Sequence, residues 1–334
     1  LVGSCGNSGL IFSQFFYGLT QHHVAEKTKV KLHDFVEMIA LGYTCAYNSV
    51  SNPKPGTILT VMEKWVEGYR ESLKNTRLNM VEGFKSSVAK AQLALSETMN
   101  QLEVLRLNNV VDAGAQGFVN FIEGMLKFLS VGQDQRALIL AEQSVVDNLA
   151  QLSHEFEDVN ELPIFRYCFE TVIRAKDENA LEPHKVKLEQ MGDSIVIGRG
   201  AQLLKLHIHT NQPEAVTQLL AQIGDILYQK IDDMLMQYNI ANLPRKTRVA
   251  IVADTMADLP LELIQAHNIY RIPLQVKING NSFLDKFSIS LPQTFTYLSN
   301  PENRIGTAAP SAALVARSFQ FLQQHYESIL VIPV

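Results

Sequence analysis

The hydrophobic period of this chain changes near Pro163, and that change excludes one uniform core. Upstream, VVDAGAQGFVNFIEGMLKFLS places apolar residues at 118, 122, 125, 126 and 129, the spacing of one helix face. The same texture runs through GNSGLIFSQFF, with Ile11, Phe12, Phe15, Phe16 and Leu19 on one side, and through LHDFVEMIALGYTCAYNSV at 32–50. After the NPKPG break at 52–56 it continues in TILTVMEKWVEGYRESL and in EGFKSSVAKAQLALSETMNQL, which ends at a polar LNN turn. Downstream, ELPIFRYCFETVIRA becomes aromatic and β-branched. A length of 334 residues, 46% of them hydrophobic, supports two or three separate cores.

The expected fold is multidomain: an all-α helical bundle or barrel, then a small α/β sandwich, then the opening of a further α/β domain. The helical part spans 1–158, with 133–158 as one more polar helix. Residues 159–224 read as β-α-β-β-α, with Pro213 at a favoured first-turn helix position. Residues 225–246 read as a helix and linker. From 247 to 334, TRVAIVADTMADLPLELIQAHNIYRIPLQVKING begins a parallel α/β domain with a buried strand, a turn, a helix and a second strand. There is no internal repeat and no low-complexity tract.

A formal net charge of −5 with no block of like charges argues against nucleic acid as a partner. No apolar run reaches the ~18 residues of a membrane span, and no signal-like core follows a basic start. Three cysteines, Cys5, Cys45 and Cys168, are too few and too scattered for a disulfide framework, which fits a cytoplasmic location. The chain begins at Leu1 and ends in SILVIPV, so it reads as a segment of something longer at both ends. Large apolar helical faces predict a homodimer.

Three small-residue loops precede predicted helices: GNSG (Gly6, Asn7, Ser8, Gly9), PGT with Thr57, and VVDAGAQG with Asp112 and Gly114. Each is readable as an N-cap or as an anion seat, since the first amides of a helix lack internal partners and the dipole favours negative charge there. Three together would form a ligand rim if the helix starts converge. In KLHIHTN, His207 and His209 stand two apart on a strand and so share a face. With Cys168 from another strand they match zinc preferences with an open fourth position; the alternative is a half-buried polar strand face beside an unrelated cysteine. His22 and His23 read as solvated helix-end residues. VADTMADLP puts Asp254 and Thr255 at the C-terminal end of a strand, where α/β sheets bind ligands. RIGTAAPS sets Thr307 and Ser311 in a small apolar loop, suited to a weakly polar head group with an oily tail, or simply to turn hydroxyls.

GSCGNSGLIFSQFFYG, PGTILTVM and VVDAGAQGFVNFIEG resemble the nucleotide-binding helical domain shared by dihydroxyacetone kinase, in its L subunit, and by fatty acid kinase, in its catalytic subunit. RYCFETVI and GDSIVIGRGAQLLKLHIHTNQPEAV resemble the middle domain of fatty acid kinase, in which a matching Cys and HxH bind metal. VAIVADTMADLP with IGTAAPS is similar to the start of the DegV family, which binds a fatty acid. The resemblance covers nearly the whole chain. It implies transfer of phosphate from ATP to the carboxylate of a bound fatty acid, giving an acyl phosphate. Asn7, Ser8, Thr57, Asp112 and Gly114 would lie at the ATP or ADP, and Thr307 would bond the acyl carboxylate.

The departures from the family pattern are specific. The Asp-rich loop that holds magnesium lies upstream of GNSG and is not in this chain, Cys5 stands where Arg is usual, and TAAPS replaces TSQPS. The DegV-like part stops before its second serine-bearing loop. The segment alone is therefore expected to be inactive, with ATP-dependent fatty acid phosphorylation the expectation for the intact protein. The alternative is a non-catalytic fatty-acid-binding or regulatory protein that retains the kinase fold.

Overall fold

The computed structural model describes residues 4, 6–22, 30–74, 79–131, 161–175, 177, 179–200, 202–244 and 247–333. Two compact units result, one holding the described residues up to 131 and the other those from 161. Cys5, His23 and the expected polar helix at 133–158 lie outside the described residues.

The first unit is helical: α1 (Gly6–Thr20), α2 (Leu32–Asn48), α3 (Ile58–Leu73), α4 (Met80–Gln101), α5 (Glu103–Asn108) and α6 (Ala113–Ser130). An aromatic cluster fills its centre, where Trp65 packs on Phe15, Phe84 and Phe118 with ring centroids 5.5–6.1 Å apart. These rings come from four helices, so burying them ties α1, α3, α4 and α6 together. Gly18 and Gly42 let α1 and α2 touch backbone to backbone: a methyl on Gly18 would sit 2.6 Å from the Leu41 carbonyl oxygen. Of the expected apolar stripes, Ile11, Phe15, Phe118 and Ile122 are buried in this core, whereas Phe16 is exposed and Phe12, Leu19, Met125, Leu126 and Leu129 are half-buried. A capping box starts α4, where Asn79 accepts from the Glu82 amide and Glu82 accepts from the Asn79 amide.

The second unit begins with β1 (Tyr167–Ala175), α7 (Lys185–Met191), β2 (Gly192–Gly200), β3 (Leu203–Thr210), α8 (Pro213–Ala221), β4 (Gly224–Asp233) and α9 (Met234–Asn242). Its four strands form an antiparallel sheet in the order β2-β3-β1-β4. Residues 225–233, expected as helix, are the edge strand β4, while the helical part of the expected linker is α9. The strand is hard to see in sequence because Lys230 and Asp232 occupy its second face, where an alternating strand would ordinarily meet water; here Asp232 is buried and Lys230 half-buried.

The rest comprises β5 (Val249–Asp254), α10 (Leu261–His267), β6 (Tyr270–Ile272), β7 (Gln275–Ile278), β8 (Asn281–Leu284), α11 (Leu291–Leu298), β9 (Ile305–Ala308), α12 (Ala312–Gln323) and β10 (Ser328–Ile332). Strands β10, β5 and β6 form a parallel sheet, as the sequence leads one to expect. A second small sheet, β8-β7-β9, is antiparallel. Asn279 and Gly280, with φ of 51° and 89°, make the tight turn between β7 and β8, which an Asn-Gly pair favours. No helix among the described residues is long and apolar enough to cross a membrane.

Candidate functional site

In the helical unit the three loops do meet. Asp112 is the N-cap of α6: its carboxylate accepts the Ala115 amide at 2.7 Å, and the amide of Ile58, the first residue of α3, favours its charged form. Burial raises the Asp112 carboxyl above its ordinary value, and the two amides only partly oppose that rise. A methyl on Gly114 would collide with the Ser8 hydroxyl, so the start of α1 lies directly against the start of α6. Glycine at 114 is what allows this approach.

The remaining residues of the loops have distinct places. Gly6 has φ of +62°, and Ser8 is exposed. Asn7 Oδ1 is buried with no hydrogen-bond partner among the described residues. Gly9 packs on Ser4. Thr57 is the N-cap residue of α3, but its hydroxyl donates to the Lys54 carbonyl instead of capping. The helix ends thus gather several N-terminal amides and one unsatisfied side-chain amide oxygen.

The second site lies on one face of the four-stranded sheet. Cys168 on β1 pairs across with His209 on β3, and Glu170 with His207, so all four side chains project from the same side. The candidate ligand atoms of Cys168, His207 and His209 lie within 4.8 Å of one another. A tetrahedral zinc site with these donors has edges of about 3.3–3.8 Å, so small side-chain rotations would close the triad. Cys168 Sγ is already 4.0 Å from His207 Nδ1. Soft thiolate with two imidazoles is a zinc-type donor set, and the residues present fit such an ion. This is the group of three or more Cys, His, Asp or Glu placed to hold a metal among the described residues; no comparable acidic group stands at the helix ends of the first unit among them.

Ion pairs surround the triad. Glu170 contacts Lys205 at 3.1 Å and His207 Nδ1 at 3.4 Å, all three side chains being buried. Burial opposes the charge of Glu170, yet the His207 hydrogen bond and the Lys230 and Lys205 ammonium groups hold its carboxyl well below the usual carboxylate range. Asp232, the β4 neighbour of Cys168, binds Lys230 at 3.0 Å and Arg317 of α12 at 2.9 Å. Sequence reading missed Glu170, Lys205, Asp232 and Arg317. A signal for the first three existed, since Cys168-Glu170, Lys205-His207-His209 and Lys230-Asp232 each repeat with period two.

The third group is more dispersed. Asp254 Oδ1 accepts the Met256 amide, and Ser311 Oγ accepts the Leu314 amide, so both serve as caps. Thr255 is buried and accepts from the Leu274 amide. Thr307 is exposed on β9, opposite Val276. Thr255 and Thr307 therefore flank the short connection from β6 to β7, whereas Ser311 begins α12.

Comparison with known proteins agrees with this division. The family model described as DAK2 domain matches residues 1–127, that of the middle domain of the fatty acid kinase A-like proteins matches 164–240, and the DegV family matches 248–334. The three matches follow one another along the chain in that order. Uncharacterized proteins of Staphylococcus aureus strains USA300, NCTC 8325 and N315 are each 30% identical to it over 243 residues, covering 71% of this chain and 43% of theirs. The chain thus spans less than half the length of the curated relatives it matches. A solved structure described as fatty acid binding of a DegV family protein from Thermus thermophilus shares 22% identity, covers 26% of this chain and 31% of its own, and gives a TM-score of 0.25, too low to carry an argument.

Proposed function

We propose that the protein of which this chain is a part phosphorylates a bound fatty acid at its carboxylate, drawing on ATP. The observation that carries the reading is the junction of α1, α3 and α6 through Asp112 and Gly114, at the place where the DAK2 model matches. The amides at the starts of α1 and α6 would hold phosphate oxygens, with Asn7 and Ser8 bonding from one side. Asp112 positions this rim by capping α6 with its carboxylate close to the first amide of α3. Phosphoryl transfer is mainly positioning and charge neutralisation, the latter normally by magnesium. The described residues offer no acidic cluster for that ion at the rim, so no step is assigned to it here.

The acyl carboxylate would be bonded by Thr307, with Thr255 lining the approach and Asp254 and Ser311 shaping the loops as caps. A donor domain and an acceptor domain on one polypeptide would raise the effective concentration of the acyl group at the nucleotide. In the middle domain, Cys168, His207 and His209 would hold a zinc-type ion that cross-links β1 to β3. A cytoplasmic, homodimeric protein fits this reading.

The test is incubation of the full-length protein with ATP and a long-chain fatty acid, trapping acyl phosphate with hydroxylamine. Hydroxamate formation that depends on Asp112 supports the kinase. ATP binding without hydroxamate would favour the second reading, a lipid-binding regulator with a retained kinase fold. Absence of ATP binding would overturn both uses of the rim.

A further inference from the structure

We propose that Glu170 is a positioning residue of the metal site, fixing His207 so that its Nε2 is the atom presented to the ion. The inference rests on the metal reading above and concerns a residue outside the ligand triad. Glu170 Oε1 lies 3.4 Å from His207 Nδ1, and Oε2 lies 3.1 Å from Lys205 Nζ. Both carboxylate oxygens are therefore engaged, one by the imidazole and the other by an ammonium group. This arrangement separates Glu170 from the ligands themselves.

A neutral imidazole carries one proton, and a carboxylate at Nδ1 draws it there. The lone pair is then left on Nε2, which in His207 is buried. Strand register enforces the contact, since Glu170 and His207 are direct partners across β1 and β3. Metal-bound histidines characteristically donate their second nitrogen to such an acceptor, which holds ring orientation and raises ligand basicity. His209 repeats the arrangement more weakly: its Nδ1 faces Asp193 at 3.6 Å, but that carboxylate is half exposed, and its Nε2 is likewise buried. Water competes for Asp193 and not for Glu170, so the two carboxylates differ in effect.

The experiment measures zinc affinity of the full chain by competition with a chromophoric chelator, together with the cobalt(II) absorption spectrum. Glu170→Gln is expected to weaken zinc about 10- to 100-fold while the cobalt spectrum keeps its thiolate charge-transfer band and four-coordinate intensity. Asp193→Asn is expected to change affinity less than Glu170→Gln. Because Glu170→Gln removes a charge partner of the buried Lys205, the double variant E170Q/K205M keeps the test open if the single variant does not fold. Unchanged affinity in the folded variant would overturn the proposal, as would a cobalt spectrum showing loss of a direct ligand. A wild-type chain that binds no zinc would instead remove the metal reading on which the proposal stands.

Discussion

The two better-defined candidate sites are built by opposite means. At the helix ends of the first unit the binding groups are mostly backbone amides, and side chains matter chiefly for bringing those ends together: Asp112 by capping α6 beside the first amide of α3, Gly114 by having no side chain to hold Ser8 away. On the sheet face the binding groups are side chains, placed by the pairing of Cys168 with His209 and of Glu170 with His207. A backbone site tolerates many substitutions but few changes of volume, whereas a register site tolerates few substitutions of any kind. The difference also sets where each is vulnerable.

The largest effect should come from deleting a donor on the sheet. His207→Ala or Cys168→Ser is expected to lower zinc affinity by more than about 100-fold, exceeding the effect of any change behind the ligands, as read by chelator competition. At the helix ends the severe substitution is Asp112→Ala, which leaves the Ala115 amide without its acceptor and removes the carboxylate beside the Ile58 amide. It should destabilise the helical unit by about 1–3 kcal/mol in urea unfolding and weaken ATP binding, while Asp112→Asn, an equally good cap, should recover most of the stability. If the alanine variant is as stable as the parent, Asp112 does not join the two helices.

Gly114→Ala sharpens the contrast further. The added methyl meets the Ser8 hydroxyl, so the variant is expected to lose about 1 kcal/mol, and combination with Ser8→Ala should restore part of it in a double-mutant cycle. Strict additivity of the two changes would mean that the ends of α1 and α6 do not press on each other.

The pH response of Asp112 follows from its raised carboxyl. The folded state holds the proton more tightly than the unfolded state, so the contribution is fully present below the ordinary carboxylate value and is lost as pH rises through the raised folded value. Thermal unfolding of the parent between about pH 3 and 7 should show this loss, and Asp112→Asn should flatten it. The smallest effect is expected at Ser311→Ala, an exposed cap with one bond to Leu314, at about 0.5–1 kcal/mol.

Much of the fold was readable before the structure. The stripes around Phe15 and Phe118 marked helices because their period matches a single face, and VAIVAD marked a parallel strand because its apolar run does not alternate with polar residues. Strand β4 escaped because Asp232 is a charge turned inward, and its pairing with Arg317 depends on an element some 85 residues away. The Asn-Gly turn between β7 and β8 carried a local signal that the reading passed over. At the sites, Cys168, His207 and His209 were found through ligand chemistry and spacing, while Glu170 was not, since a lone Glu on a strand says nothing until its partner strand is known.

Local chemistry, then, was settled by the residues themselves: which segments favour helix or strand, which loops offer amides, and which side chains can ligate a metal. Only the tertiary structure decided that Asp112 ties α3 to α6, that Ser8 meets Gly114, and that Glu170 stands behind His207. The reason is physical. Propensity and periodicity act over a few neighbouring residues, but strand register and helix-end convergence are fixed by burying surfaces drawn from distant parts of the chain.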